Sequence, residues 1–225
     1  MTATISTAPP VIVKRLYSAT WLDYLHHVEN TSSHLKRVFF HLGVMWIEDM
    51  GNEGISHARF NKLFTMLFAF WFARIEEIEF DLLGGCVIEK PQNQGAAPDE
   101  VLYIGEDSPR YVEGEPRRVN LSESRVPDLV VEIADTTLAS DLDEKKQLYL
   151  ALEITEYWVV DVKGKRVIAF RLVDGKYREC TESVALTGLP IELLEQTLNR
   201  MDNTNGNAAL WFAAQIAKLP VGAIE

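Results

Sequence analysis

The chain has 225 residues, 47% of them apolar and 24% charged. That balance suits one soluble globular domain with extensions and excludes a disordered or fibrous chain. A formal net charge of −11 argues against broad, sequence-blind binding to nucleic acid, which relies on Lys and Arg meeting phosphate, but not against an enzyme that gathers carboxylates around a metal ion.

Residues 1–16 are rich in Thr, Ala and Pro and read as a loose extension, without the basic start and apolar core of a signal peptide. Residues 18–29 read as a helix with Trp21, Tyr24 and Leu25 on one face. Residues 38–48 read as extended, a hairpin turning at Gly43. A long helix is expected over 56–76, where Phe60, Leu63, Phe64, Leu67 and Trp71 follow helical spacing. Its apolar residues run almost all round, so it is expected to be buried on several sides. Its aromatic run FTMLFAFWF is therefore core and not a platform for stacking bases. The most apolar stretch, 63–73, is shorter than the roughly 20 residues of a membrane span, and no membrane association is expected. Cys86 and Cys180 stand far apart without CxxC spacing, as idle thiols would in a reducing, cytoplasmic compartment.

Residues 80–89 and 100–104 read as strands, and the polar stretch 105–125 as a loop. The apolar, β-branched run 129–134 has strand length. Ser140 with Asp143 resembles a helix start, the helix running to about residue 153. Residues 157–162 and 166–172 form two strands around Lys163-Gly164-Lys165, and a turn at Asp174-Gly175 leads to a third. Residues 191–200 and 208–219 are helical, separated by a linker at 203–207 and stopped by Pro220. The order predicts an α/β fold, a mixed sheet flanked by helices with extra helices at both termini. The corresponding division is an extension at 1–16, a core domain at 17–200 and a helical extension at 201–225.

Three features carry chemistry. Glu132 interrupts the apolar strand LVVEIA, which by composition is buried on both faces, and a buried charge is costly unless paired or bound to a metal. Pro98-Asp99 heads the strand VLYI, and the proline favours extended geometry in the residue before it, which sets Asp99 at a strand start. On the helix that follows Glu132, Lys145, Tyr149 and Leu152 share a face, which turns Lys145 toward the sheet. Asp141 lies four residues before Lys145, within reach of it, and Lys146 points away. Two carboxylates that bind metal and one lysine form a minimal site for metal-assisted hydrolysis, with Mg²⁺ or Mn²⁺ as the suited ion. Taken one at a time, each residue also has a plain reading: a turn aspartate, a structural glutamate, an edge lysine.

The runs PDEVLYI, RVPDLVVEIADTT and DLDEKKQLYLALEITEYWVVDVKGKRVIAFRL resemble the Uma-two family of endonucleases, common in cyanobacteria, over residues 97–172. That family belongs to the PD-(D/E)XK superfamily with its restriction-endonuclease-like core. The resemblance implies a DNA endonuclease in which Asp99 and Glu132 bind metal. It also implies that Lys145 does the work of the lysine usually found two residues after the acid, where Ala134 stands here. Tyr149 favours Lys145 over Lys146. Gly43 and His57 match further landmarks more weakly, and His57 reads best as a capping or packing residue. The acid expected a few positions before Gly43 is missing, and Glu48 or Glu79 are the substitutes at hand.

Arg117, Arg118, Arg125 and Lys146 are candidate phosphate contacts, and two copies of the chain would cut both strands of a duplex. The alternative is a catalytically inactive module that keeps the fold for binding or assembly, with AALWFAAQIA packing on a partner. The metal reading requires Asp99 and Glu132 to face one site. An acid neutralised by an arginine, with no room for an ion, would contradict it.

Overall fold

The computed structural model describes residues 12–29, 36–49 and 54–220. Its centre is β9 (Leu129–Ala134), whose six residues are all buried. β9 runs parallel to β10 (Glu156–Asp161) and antiparallel to β7 (Glu100–Ile104). β11 (Arg166–Val173) and β12 (Lys176–Cys180) extend this mixed sheet on one side, and β4 (Phe80–Gly84) on the other.

A strand buried on both faces must be covered twice. Leu129, Val131 and Ile133 pack into one core with α2 (Ile55–Phe72), α5 (Ile191–Leu198) and α6 (Asn205–Ile216). Val130 and Ala134 point to the opposite side. There they meet Leu148 and Tyr149 of α4 (Glu144–Ala151), together with Phe39 and Trp46 from a second sheet. Glu132 alternates with these and so faces this second layer.

The second sheet runs β1-β3-β2-β6-β5-β8. Its members are β1 (Ile12–Tyr17), β2 (Lys36–His41), β3 (Val44–Asp49), β5 (Ile88–Lys90), β6 (Gln94–Ala96) and β8 (Val119–Asn120). The expected hairpin is β2-β3, with Leu42 and Gly43 both at positive φ (50° and 73°). Two successive positive-φ residues match the right-handed twist of the strands. Arg37 pairs across this hairpin with Glu48, and Phe39 with Trp46, whose rings stack at 5.5 Å. These four face the mixed sheet. Val38, Phe40, Met45 and Ile47 face the other way, onto α1 (Trp21–Glu29). Helix α1 lies close to this sheet, for a Cβ on Gly95 would fall 2.2 Å from the Tyr24 ring.

Several expectations need correcting. The extension at 1–16 contains β1 from Ile12 onward, paired along β3; residues 1–11 lie outside the described residues. Helix α1 starts at Trp21 and not at 18, because Thr20 and Asp23 cap it: the Asp23 carboxylate accepts the Thr20 N–H at 2.7 Å. The single strand at 80–89 is two strands in different sheets, broken at Gly84-Gly85, where Gly85 has φ 63°. The helix at 140–153 is also two, α3 (Leu138–Leu142) and α4, separated by Asp143 at φ −120°, ψ −83°. Finally, α6 is no free arm. Ala208, Ala209, Phe212 and Ile216 belong to the core shared with α2, so its apolar face is already taken by its own chain.

Glu156, at the start of β10, shows how a buried acid is made tolerable without an ion. One of its oxygens accepts the Trp158 indole N–H at 2.6 Å. The other accepts the Ser183 hydroxyl (3.1 Å) and the Val184 and Ala185 N–H groups (2.9 and 2.7 Å). Removing it leaves four donors without their acceptor. Glu156→Ala is expected to lower unfolding free energy by about 3 kcal/mol or more, measured by urea denaturation; an unchanged midpoint would contradict the assignment.

Candidate functional site

The two layers meet at a cluster of charged side chains. Asp99 directly precedes β7, and its Oδ2 accepts the Ile133 N–H of β9 at 2.7 Å. This bond brings the aspartate beside Glu132. Glu48 comes from β3 of the facing sheet, and Asp141 and Lys145 come from α3 and α4 on either side of the break at Asp143. All five are at most 2% exposed.

Lys145 is the hub. Its Nζ lies 2.8 Å from Asp141 Oδ1 and 3.1 Å from Glu48 Oε1, and it donates to Glu48 Oε2 and Glu132 Oε2 at 3.1 Å each. The Phe39 ring lies under it, 4.6 Å from Nζ to the ring centre. Burial opposes its charge, yet Asp141, Glu132 and Glu48 raise its pKa well above the usual lysine value. Lys145 is therefore a permanent cation and not a proton acceptor.

Glu132 is held from the other side by Tyr149, whose hydroxyl donates to Oε1 at 2.5 Å. Asp141 is anchored by the Thr137 hydroxyl at 2.6 Å. Arg37, from β2, completes the group: Nη2 contacts Asp99 Oδ1, and Nη1 is 3.9 Å from Glu132 Oε2. His57 Nε2 also lies 3.1 Å from Asp99 Oδ1.

Four carboxylates thus face two permanent cations, with His57 beside Asp99. Burial and these charges together set the acidities. Burial would raise Asp99, but Arg37 and His57 overcome it and hold the carboxyl well below its usual range. Burial raises Glu132 most, Lys145 opposes it, and Asp99 and Asp141 add to the rise. Glu48 is raised as well, by burial.

Asp99, Glu132 and Lys145, the three residues singled out in the sequence, are therefore brought together, with Asp141 on the lysine. Of the two substitutes for the missing acid, Glu48 lies in the cluster and Glu79 is exposed elsewhere. The His57 ring, in the first turn of α2, meets Asp99 at 3.1 Å. Arg37 escaped sequence reasoning. A period-two reading of β2, which puts Arg37 on the face of Phe39, was the available signal.

The candidate phosphate contacts fare differently. Arg118 is tied to Glu89 at 2.8 Å and Glu29 at 3.1 Å. Arg125 is tied to Asp128 at 2.9 Å and to the Ile104 carbonyl at 2.7 Å. Both guanidinium groups thus have internal acidic partners. Lys146 lies over the Phe170 ring, at 3.7 Å, and Arg117 over Tyr111, at 5.6 Å.

Among the described residues, no three His, Cys, Asp or Glu side chains surround a common point as a metal cage. The reason is that the chain's own cations stand between the acids. The donor chemistry nevertheless fits a hard divalent ion, for every acceptor is a carboxylate oxygen. Asp99 Oδ1, Glu48 Oε1 and Asp141 Oδ1 are buried, and although ion-paired they have no partner in hydrogen-bond geometry. Among the described residues no helix is long and apolar enough to cross a membrane.

The family model described as "Uma2: Putative restriction endonuclease" matches residues 21–201. A crystal structure titled as a putative nuclease belonging to DUF820, from Anabaena variabilis, is similar over 86% of this chain and 98% of its own. Its TM-score is 0.54 and its sequence identity 12%, a likeness of fold. No curated protein matches.

The burial of Glu132 has a measurable consequence. With its folded pKa raised above the ordinary 4.5, Glu132 keeps a proton that the unfolded chain has lost. Its contribution therefore falls as pH rises from about 4.5 toward the folded value. Glu132→Gln in EDTA is expected to match wild type at the acid end and to exceed it by about 1 kcal/mol or more near neutral pH. Lys145→Met is expected to lose about 3–5 kcal/mol. Thermal unfolding between pH 4 and 8 checks both, and a Glu132→Gln curve below wild type at neutral pH would contradict the account.

Proposed function

The chain belongs to the Uma2 (Uma-two) family of restriction-endonuclease-like nucleases, and from that premise we propose that it is a metal-dependent endonuclease that hydrolyses DNA phosphodiester bonds. The observation that carries the reading is a set of buried acids, Asp99 and Glu132 among them, that exceeds the cations paired with it and shares Lys145. In a chain free to choose an apolar core, such a set costs stability and calls for a purpose.

Asp99 and Glu132 would hold Mg²⁺ or Mn²⁺. A bound divalent ion supplies an acidified water and neutralises charge at the scissile phosphate. Asp99 is prepared for this by staying ionised beside Arg37 and His57. Tyr149 fixes the rotamer of Glu132 by donating to Oε1, which leaves Oε2 turned toward Lys145 and Arg37. Lys145, held protonated, orients water or stabilises the developing negative charge. Glu48 and Asp141 keep that ammonium in place and act through it. Arg117 and Lys146 remain the candidates for phosphate contact outside the cluster.

A second reading has its own observation. Arg37 already partners Asp99, as it would in an inactive module that keeps the fold for binding or assembly. Cleavage separates the two. Purified protein with Mn²⁺ is expected to cut plasmid or single-stranded DNA, with cutting abolished by EDTA and reduced about 100-fold or more in Glu132→Ala and Lys145→Ala. Equal cutting by wild type and Glu132→Ala would refute the assignment, and no cutting by any form under these conditions favours the inactive module.

A further inference from the structure

The position of Arg37 is not what a waiting metal site would show. Its guanidinium spans the two acids that would hold the ion, touching Asp99 Oδ1 and reaching to 3.9 Å from Glu132 Oε2. The other oxygens of these acids have work already. Asp99 Oδ2 accepts the Ile133 N–H, and Glu132 Oε1 accepts the Tyr149 hydroxyl. The guanidinium spans the remaining two, Asp99 Oδ1, which His57 Nε2 also approaches at 3.1 Å, and Glu132 Oε2, which also accepts from Lys145 Nζ at 3.1 Å.

We propose that Arg37 holds the place of the divalent cation between Asp99 and Glu132, and that metal and guanidinium compete for these two oxygens. The inference rests on the metal-dependent reading above. Binding of the ion displaces Arg37 outward, and the ion leaves as Arg37 returns.

Three observations favour Arg37 as the group that gives way. First, its side chain is 18% exposed, against 1% for Asp99, Glu132 and Lys145, so it alone of these reaches solvent. A long side chain at such a position can keep its charge in water while its stem stays packed. Second, Lys145 is gripped by three carboxylates at 2.8–3.1 Å and cannot move without stripping all of them. Third, the cluster has more carboxylates than cations. Replacing one positive charge with two narrows the deficit, which gives the ion a Coulombic advantage over the guanidinium. Until the ion arrives, Arg37 spares the buried Asp99 an unpaired charge. The same contact that stabilises the metal-free fold thus sets a threshold for metal.

Mn²⁺ titration by calorimetry at fixed pH tests this, with circular dichroism to verify folding. Arg37→Met is expected to bind Mn²⁺ at least about tenfold more tightly than wild type, because the competitor is gone. It is also expected to melt lower than wild type in EDTA and to gain more in melting temperature from added Mn²⁺. Arg37→Gln, which keeps an amide near Asp99 without the charge, is expected to tighten binding likewise and serves if Arg37→Met does not fold. Equal or weaker Mn²⁺ binding by the folded variants, with wild type binding normally, overturns the competition and leaves the metal-dependent reading intact. No binding by wild type or either variant overturns both.

Discussion

Glu132, itself 1% exposed, is ringed by a lysine, a tyrosine and an arginine. That one carboxylate is the constraint around which the molecule is arranged. Its strand lies between a helical layer on one side and a second sheet on the other, so the charge has no route to solvent along either face. Every polar contact it makes must be supplied by the chain or by a bound ion. The Arg37–Glu48 pair on the facing hairpin and the broken helix that positions Asp141 and Lys145 are the chain's part of that supply.

Glu156 shows what the same chain does when an acid is structural. Its oxygens are met by four donors in good geometry, and the carboxylate simply ties a loop to the sheet. The cluster around Glu132 is built otherwise. Acids outnumber cations, and three buried oxygens have no partner in hydrogen-bond geometry. The contrast separates an acid that completes the fold from acids held against the fold's preference. Sites where function needs an arrangement that stability does not favour have this character.

Much of this was legible from residues alone. The Leu42-Gly43 turn, the buried character of 129–134 and the face shared by Lys145 and Tyr149 follow from period and turn chemistry, and these placed Glu132 and Lys145 in one layer. What escaped was non-local. The chain crosses between sheets at Gly84-Gly85, and the resulting second sheet brings Arg37 and Glu48 over the acids. The Gly84-Gly85 pair signals a break within 80–89, but not that the two halves enter different sheets. Glu48 could be named as a candidate, but only its cross-strand position beside Arg37 sets it against Lys145. The internal pairing of Arg118 and Arg125 was hidden for a related reason: clustered arginines in a polar loop look unpaired, and their acidic partners are distant in sequence or sit at a strand start.

The central claim is that the acids are kept in excess so that a divalent ion can bind between Asp99 and Glu132. Crystals of the protein soaked in Mn²⁺ and measured at the manganese absorption edge test it most directly. The account predicts an anomalous peak within bonding distance of Asp99 Oδ1 and Glu132 Oε2, with the Arg37 guanidinium turned out of the cluster. A map with no peak there, and Arg37 still seated on Asp99, would contradict it.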